Sequence, residues 1–485
     1  MHNPFEFGGN PETGKSVSLN LGMANRHGLI TGATGTGKTV TLQTLIEGFS
    51  EAGVPVFVTD IKGDLSGLAR PGIAHPKIKE RLALLARDMF SGHAYPVILW
   101  DLFGKTGHPV RATISDMGPL LLSSLLNLNE TQSAVLYASF KIADDEGLLL
   151  LDSKDLRSLL SWVSENRQSL QPNYGGLPPA SIAAIQRNLL MLEQQGAEQF
   201  FGEPALQLND LMQTDFSGNG VISLLDATSL LQQPKLYATF LLWLLAELFE
   251  QLPEVGDTEK PKLVLFFDEA HLIFKQAPGV LIEKVEQVVR LIRSKGVGVF
   301  FVSQTPADIP AAIAGQLGNR VQHALRAFTP NDRKAVKTAA QTLRSNPAID
   351  TEEVISHLGV GEALVSVLDD KGQPTPVEQV LVYPPRSQIG PLALEERLLQ
   401  LQRSPLAGRY DTTIDRESAY EMLAQRAAQA SANTAVGKPA ARKNSSPVED
   451  FVGSMAKSAV RSIGSQLGRQ IVRGLLGSLL GGKRR

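Results

Sequence analysis

Two segments of this sequence combine residue types that act on phosphates, and the first is a glycine-rich loop. Residues 32–39, Gly-Ala-Thr-Gly-Thr-Gly-Lys-Thr, match the pattern Gly-x4-Gly-Lys-Ser/Thr between an apolar run and a helical run. Glycines let successive N–H groups point at the α- and β-phosphates, and the following helix adds its dipole. Lys38 would neutralise the β- and γ-phosphates, and the Thr39 hydroxyl would bind Mg²⁺. The expected nucleotide-contacting residues are Gly32, Ala33, Thr34, Gly35, Thr36, Gly37, Lys38, Thr39 and Val40.

The second segment is an acidic pair much later in the chain. Leu263–Phe267 is an apolar run, and Asp268 and Glu269 follow it directly. An aspartate at the end of a buried strand beside a phosphate loop can hold Mg²⁺, and the adjacent glutamate can act as general base toward water. We therefore predict a metal-binding role for Asp268 and a catalytic role for Glu269. His271 fits a packing role and a coupling role equally well.

A polar pair, Ser303 and Gln304, follows the apolar run Val297–Val302. On a strand next to the acidic one, an amide side chain can contact the γ-phosphate and respond to its loss. Gln304 is therefore the candidate sensor and a predicted catalytic residue. Capping of the following turn is its alternative role.

Several arginines are candidates for an arginine finger, which places positive charge at the γ-phosphate of a neighbouring subunit. They are Arg290, Arg293, Arg320, Arg326 and Arg333. Arg320 and Arg326 flank a strand-like run, so we predict these two as the catalytic arginines. A surface salt bridge is the alternative role for each.

The elements that must position these residues alternate between short apolar runs and helical stretches, which is typical of an α/β protein. Helical periodicity is clear in Val40–Glu51, Leu236–Phe249 and Leu281–Arg293. The predicted strands are Gly28–Thr31, Val54–Thr59, Pro96–Trp100, Val221–Leu225, Leu263–Phe267, Val297–Val302, Val321–Phe328, Ala363–Leu368 and Val377–Tyr383.

Composition excludes several classes of protein. The 485 residues carry a formal charge of −2, so binding of nucleic acid through overall charge is not expected. The absence of cysteine excludes disulfides, thiol catalysis and cysteine-ligated metal sites, and it fits a cytoplasmic protein. Neither a secretory signal nor a membrane-spanning run is expected, since the longest apolar stretch, Leu236–Phe249, has 14 residues and contains Glu247.

The C-terminal part changes character twice. Residues 431–447 are poor in bulky apolar side chains and indicate a flexible linker. Phe451–Arg485 then carries seven Lys or Arg and no acid, with apolar residues at helical spacing. A solubilising tail, a helix at an anionic membrane surface, and a helix that binds a partner or DNA all fit this pattern.

We expect the chain to be divided into six segments. They are residues 15–70 and 215–385 for the two parts of an ATPase core, 71–214 for a mostly helical insertion with a short hairpin, 386–430 for C-terminal helices, 431–447 for the linker and 448–485 for the basic amphipathic tail.

In this order the motifs resemble those of the HerA–FtsK group of RecA-like P-loop ATPases. The resemblance rests on Gly32–Thr39, Asp60–Asp64, Asp268–His271 and Ser303-Gln304, and it is strongest to bacterial proteins with a HerA-like helicase domain. It implies an α/β RecA-like core, with ATP and Mg²⁺ bound as described above. It also implies a homo-hexameric ring that moves double-stranded DNA. Asp60, Lys62 and Asp64 would face the nucleotide, or would instead form a turn.

The sequence also departs from these relatives. Only 26 residues precede His27, so the N-terminal β-barrel of archaeal HerA proteins, and with it a role in DNA-end resection, is not expected. The leading hypothesis is a cytoplasmic Mg²⁺-dependent ATPase that translocates DNA. An ATPase that moves protein cargo at the membrane, held there by the basic tail, is the second hypothesis. A slow nucleotide-controlled binding switch is the third.

Overall fold

The computed structural model describes residues 4–87, 89–256, 258–276 and 279–436, and for Gln276, Val280, Leu281 and residues 432–436 it describes the backbone alone. The strands are β1 Phe5–Gly9, β2 Ser16–Leu19, β3 Gly28–Thr31, β4 Val56–Asp60, β5 Val97–Asp101, β6 His108–Pro109, β7 Ile222–Asp226, β8 Leu263–Phe267, β9 Val297–Ser303, β10 Asn319–Gln322, β11 Glu362–Ser366 and β12 Glu378–Val382.

Helices separate most of these strands. They are α1 Lys38–Glu51, α2 Pro76–Leu84, α3 Ile114–Leu125, α4 Glu130–Asp145, α5 Ser153–Glu165, α6 Arg167–Tyr174, α7 Pro179–Gln194, α8 Pro234–Gln251, α9 His271–Gln276, α10 Gly279–Ile292, α11 Ala311–Ala314, α12 Pro330–Gln341, α13 Thr351–His357, α14 Leu394–Gln402 and α15 Ala419–Val436. Among the described helices, none combines the length and the hydropathy of a membrane-spanning segment.

The described strands form one sheet in the order β2-β1-β12-β11-β10-β3-β9-β8-β4-β7-β5-β6. From β10 to β6 every neighbouring pair is parallel, whereas β11, β12, β1 and β2 pair antiparallel. The predicted α/β class is confirmed. Because the central strands are parallel, the carboxyl ends of β3, β9, β8 and β4 lie next to one another at one edge of the sheet.

Two strand predictions need correction. The expected hairpin after β5 is wrong, because β5 and β6 pair in parallel, with Trp100 opposite His108. Asp101 shapes the intervening loop by accepting the N–H groups of Lys105 and Thr106, both at 2.8 Å. The predicted strand Val321–Phe328 ends early, at Gln322.

The first helix, α1, is anchored by aromatic packing beneath the sheet edge. Phe49 is fully buried, and its ring lies 6.0 Å from that of Phe266 on β8 and 5.8 Å from that of Phe300 on β9. Burial of one such ring contributes about 1.5–3 kcal/mol to folding. The helix that begins at Lys38 is therefore held against the strands that end at the acidic pair and at Gln304.

The chain forms two units. Of the described residues, those up to Arg111 together with Pro204–Thr413 form the unit that contains the sheet, and Ala112–Glu203 with the residues from Ile414 to Val436 form a helical unit. The helical unit is thus narrower than the predicted insertion of residues 71–214. Its C-terminal helix α15 is tied to α5, since the N–H of Tyr420 donates to Asp155 at 2.9 Å.

The predicted linker and tail are only partly described. Helix α15 continues to Val436 and so includes the first residues of the predicted linker, 431–447. The rest of that linker and the basic tail, residues 448–485, lie outside the described residues.

Candidate nucleotide site

The phosphate loop closes on its own lysine. Its position between β3 and α1 is the one the motif predicts. The ammonium group of Lys38 donates to the carbonyls of Gly32 at 2.6 Å and Ala33 at 3.0 Å. Burial lowers the pKa of Lys38, and the charge of Lys62 lowers it further. The loop thus holds a buried cation whose present partners are two neutral carbonyls.

A second loop supports the phosphate loop from outside. The N–H of Gly361 donates to the carbonyl of Thr36 at 2.9 Å. Gly37 has a φ of +110°, and a Cβ atom there would lie 2.9 Å from both the N and the Cα of Gly361. Arg81 on α2 covers this contact, because its guanidinium donates to the carbonyl of Val360 at 2.7 Å. The two glycines therefore allow the backbones to touch, and Arg81 fixes one of them.

A buried histidine supports the loop from below. His323 accepts or donates through both ring nitrogens, to the Thr41 hydroxyl and to the Glu362 carbonyl, each at 2.8 Å. Because a carbonyl only accepts, Nδ1 carries the proton and Nε2 accepts from Thr41. Burial lowers the pKa of His323 to about 4. His323 is therefore a neutral bridge between α1 and β11.

Asp268 stands at the carboxyl end of β8 and is 3% exposed. Its N–H donates to the Thr59 hydroxyl at 3.2 Å, and its carboxylate accepts the N–H of Glu269 at 2.9 Å. Burial raises the pKa of Asp268 to about 7, although the charge of Lys62 acts in the opposite direction. A nearby cation would therefore stabilise the ionised form of Asp268.

Glu269 is held from several sides. Its Oε1 atom lies 2.7 Å from the ammonium of Lys62, and its Oε2 atom lies 3.2 Å from Nδ1 of His271. The amide of Gln304 donates to the same Oε2 at a long 3.4 Å. Burial would raise the pKa of Glu269, but the hydrogen bond and charge of Lys62, together with smaller effects of His271 and Lys38, lower the pKa below its ordinary value.

The backbone at Glu269 is strained as well. Its φ is +46°, which places a non-glycine residue in the left-handed region. Such a conformation costs on the order of 1–2 kcal/mol and is concentrated at functional sites. The strain is retained because Asp268 accepts the N–H of Glu269, and the next N–H, from Ala270, donates to Val302 at 2.8 Å.

The segment after β4 has two roles. Asp60 accepts the N–H groups of Gly63 at 2.7 Å and Leu65 at 2.9 Å, so it forms the turn. Burial raises the pKa of Asp60 to about 6 and also raises that of Asp64. Lys62, at the tip of the same turn, instead pairs with Glu269. Of the two roles predicted for this segment, Asp60 therefore forms the turn, and Lys62 faces the candidate site.

These groups share one electrostatic environment. The charges of Glu269 and Asp268 both raise the pKa of Lys38 and partly offset the effect of its burial. The strand order β3-β9-β8 places the loop and the acidic pair at the same edge of the sheet, with one strand between them. This arrangement places two cations, Lys38 and Lys62, among carboxylates where a triphosphate would add negative charge.

The predicted arginines lie in different places. Arg320 is in the first half of β10, and its guanidinium donates to the carbonyls of Ala314 at 2.7 Å and Leu317 at 3.1 Å. The structure does not bring Arg320 to the edge that carries Lys38. Arg326 lies beyond the carboxyl end of β10 with an exposed side chain, at 3.4 Å from the Ser356 carbonyl.

The donor set fits Mg²⁺ better than a metal bound by protein alone. Within the described residues no group of three or more His, Asp or Glu side chains could hold a metal ion. Mg²⁺ is usually held by one or two protein oxygens together with substrate phosphates and water. The Thr39 hydroxyl on α1, which follows β3, and the Asp268 carboxylate after β8 are oxygen ligands of this kind, and both follow strands that end at the same edge of the sheet.

Comparison with protein families decides the relationship. The model of the family described as helicase HerA-like C-terminal matches residues 7–485. The chain belongs to this family. No curated protein matches the sequence. The resemblance predicted from the motifs of this HerA-like chain is thereby confirmed.

Solved structures agree on the fold. The plasmid coupling protein TrwB in complex with ADP and Mg²⁺ matches with a TM-score of 0.51 and 15% identity, over 77% of this chain and 88% of TrwB. TrwB in complex with a non-hydrolysable ATP analogue matches with a TM-score of 0.51 and 15% identity, over 80% of this chain and 96% of TrwB. VirB4 of Thermoanaerobacter pseudethanolicus matches with a TM-score of 0.51 and 15% identity, over 78% of this chain and 97% of VirB4. This HerA-like chain therefore has the RecA-like P-loop ATPase fold.

Sequence reasoning did not find every residue that shapes the site. It missed Gly361, which bonds the phosphate loop, and also His323 after β10 and Arg81 on α2, which hold Thr41 of α1 and the turn before β11. The only sequence signal was the Gly-Val-Gly string at 359–361, which by itself indicates no more than a turn.

Proposed function

We propose that this chain is a Mg²⁺-dependent ATP hydrolase that assembles as a homo-hexameric ring and translocates double-stranded DNA. The observation that carries the proposal is the placement of Lys38, Asp268 and Glu269 just beyond the carboxyl ends of the parallel strands β3 and β8 of one sheet. Phosphate neutralisation, metal binding and base catalysis need these three groups within one cavity. The nucleotide and Mg²⁺ bound to TrwB, which has the same fold, give further support.

Each residue has a defined task in this proposal. Lys38 exchanges its carbonyl contacts for the β- and γ-phosphates, and the N–H groups of residues 32–40 surround the phosphates. Thr39 and Asp268 hold Mg²⁺, which neutralises phosphate charge when it is bound. Glu269 accepts a proton from the attacking water. Gln304, whose amide lies 3.4 Å from Glu269, contacts the γ-phosphate as sensor.

The arginine finger fits Arg326 better than Arg320. Arg326 is exposed beyond the carboxyl end of β10, so a neighbouring subunit could approach it. Arg320 is directed toward the carbonyls of residues 314 and 317, which precede the strand. A finger must reach another subunit's γ-phosphate, which favours the exposed side chain.

A local basic surface supports DNA as the substrate. Helix α12 buries Val336 and Ala339 and exposes Arg333, Lys334 and Lys337, which lie within about 100° of one another around the helix. Within the described residues these three side chains make no ion pair. An unpaired cationic face of this kind suits DNA phosphates, although the whole chain is nearly neutral.

The decisive experiment measures ATP turnover of the purified protein with and without double-stranded DNA, together with its solution mass. Turnover that rises strongly with DNA, in particles of six-subunit mass, is the expected result. Turnover that ignores DNA but follows membrane association through the basic tail would favour protein cargo. Very slow turnover with nucleotide-dependent partner exchange would favour the binding switch.

A further inference from the structure

An ion pair links the turn after β4 to the acidic pair after β8. The ammonium of Lys62 lies 2.7 Å from Oε1 of Glu269, and the two side chains are 37% and 8% exposed. β4 and β8 are neighbouring parallel strands, so both residues leave the same edge of the sheet. A lysine that is 37% exposed therefore holds a buried carboxylate at the sheet edge from which α1 and Lys38 also start.

This contact occupies the oxygen that the proposed chemistry requires. As general base, Glu269 must offer a carboxylate oxygen to water. Oε1 is bound by Lys62, and Oε2 faces His271 at 3.2 Å and Gln304 at 3.4 Å. In this arrangement Glu269 is a poor base until one of these partners moves.

Lys62 is the partner best able to move. Its side chain is a flexible four-carbon chain on a turn that includes Gly63, whereas His271 is 17% exposed at the start of a helix. The turn itself is fixed by Asp60, so the ammonium group can change partner without unfolding the loop. Lys38 follows β3 and Lys62 follows β4, so both cations leave the same edge of the parallel sheet.

We propose that Lys62 is a γ-phosphate-responsive restraint on Glu269: without nucleotide it holds the carboxylate, and the γ-phosphate of ATP draws it away and releases the base. The inference rests on the proposed ATP hydrolase. A γ-phosphate offers three oxygens and more negative charge than one carboxylate, so it competes successfully for the ammonium. ADP lacks that group and leaves the ion pair intact. The restraint limits water activation to the ATP-bound state.

The test is a double-mutant cycle on nucleotide affinity. The dissociation constants of a non-hydrolysable ATP analogue and of ADP, both with Mg²⁺, are measured by calorimetry for the wild type, Lys62→Met, Glu269→Gln and the double variant. Glu269→Gln removes the competing carboxylate, so the analogue should bind about fivefold more tightly or better, in the range usual for coupled residues in contact. Affinity for ADP should stay the same, and the gain should vanish when Lys62→Met is added.

The cycle separates Lys62 from a general loss of negative charge. A gain that persists in the Lys62→Met background, or that appears equally with ADP, overturns the inference. If the wild type binds neither nucleotide, the proposed function fails and the inference fails with it. Normal binding without coupling removes the inference alone.

Two further variants control for charge and folding. Lys275 lies 3.2 Å from Asp308 near the same edge and is 62% exposed, so Lys275→Met removes a comparable ion pair that does not involve Glu269. It should leave the cycle unchanged. Lys62→Arg keeps the charge and should preserve the coupling. Loss of coupling in the Lys275 variant would show that any nearby cation acts this way, which also overturns the inference.

Discussion

The N–H of Gly361 donates to the carbonyl of Thr36 across 2.9 Å, and this bond connects the turn before β11 to the phosphate loop. The loop's shape therefore depends on a turn more than 300 residues away in the sequence. Gly361 has a φ of +79°, and a Cβ atom on it would collide with the guanidinium of Arg81. Its conformation favours glycine, and a side chain there would also push the Arg81 guanidinium aside.

Gly361→Ala should weaken nucleotide binding and lower the melting temperature. The left-handed backbone alone costs on the order of 1–2 kcal/mol for alanine, and the collision with Arg81 adds to this. Gly390→Ala is the matched control, because Gly390 has a φ of +95° with open space around it and so carries the backbone cost alone. Calorimetric affinity and thermal denaturation measure both. Equal losses in the two variants would contradict a specific role for the contact.

The phosphate loop could be predicted from the sequence, whereas the contact that Gly361 makes with it could not. Gly32–Thr39 is a local pattern whose neighbours along the chain supply its strand and helix, and its placement was predictable. The position of Gly361 depends on the order β11-β10-β3 in the sheet, which is a non-local property. The α/β class and RecA-like core followed from alternation and motif order, whereas the supports of the loop did not.

The acidic pair shows the same limit at the level of single side chains. An apolar run ending in two acids predicted where Asp268 and Glu269 would lie. It could not show that Lys62 would neutralise one of them, because that contact depends on the pairing of β4 with β8. For Asp60 and Lys62 the sequence left open whether each residue forms the turn or faces the nucleotide. Tertiary contacts show that Asp60 forms the turn and that Lys62 pairs with Glu269.

Lys38→Ala should abolish nucleotide binding. The ammonium group at present donates to Gly32 and Ala33, so its removal also leaves both carbonyls without that partner. The lost phosphate contacts should reduce affinity about 100-fold or more, since hydrogen bonds between charged groups contribute about 1.5–3 kcal/mol each. Titration calorimetry with ATP measures the loss. Unchanged affinity would contradict the interpretation of residues 32–39 as a phosphate loop.

Glu269→Gln should block turnover without weakening nucleotide binding. The amide keeps the size of the side chain and removes the base, so kcat should fall about 10²–10⁴-fold, the usual contribution of general base catalysis. Single-turnover kinetics with excess enzyme separates this loss from product release. The kcat of Asp64→Asn serves as the comparison, because this variant removes a different carboxylate, one that follows β4. Normal hydrolysis by the Glu269 variant would show that another group activates water.

A buried carboxylate on α1 should make stability depend on pH. Glu47 is 4% exposed, and burial raises its pKa to about 7, while N–H groups of Arg386 and Ser387 donate to it at 2.8 and 2.9 Å. Because the folded pKa lies above the unfolded one, the stabilising contribution is complete below about pH 4.5 and is lost as the pH rises through about 7.

Glu47→Gln removes this titration. Relative to the wild type, the variant should gain stability between about pH 4.5 and 7, by about 3 kcal/mol at most, and the difference should be constant above that range. Melting temperatures of both proteins across the pH range give the difference curve. The slope is the readout, since the amide also changes the contact with Arg386. Parallel curves would show that Glu47 does not titrate in this range.

Neutralising the exposed face of α12 should reduce the response to DNA and leave basal turnover intact. In Arg333→Gln/Lys334→Gln/Lys337→Gln three cations are lost, and each phosphate contact contributes about 0.9 to the slope of log affinity against log salt. The slope should therefore become shallower by about 2–3, and DNA should stimulate ATP turnover less. Lys77→Gln/Lys79→Gln on α2 removes exposed charge elsewhere and should change neither quantity. Equal effects of the two sets of substitutions would mean that DNA binding depends on the overall charge of the protein and that α12 is not the surface that contacts DNA.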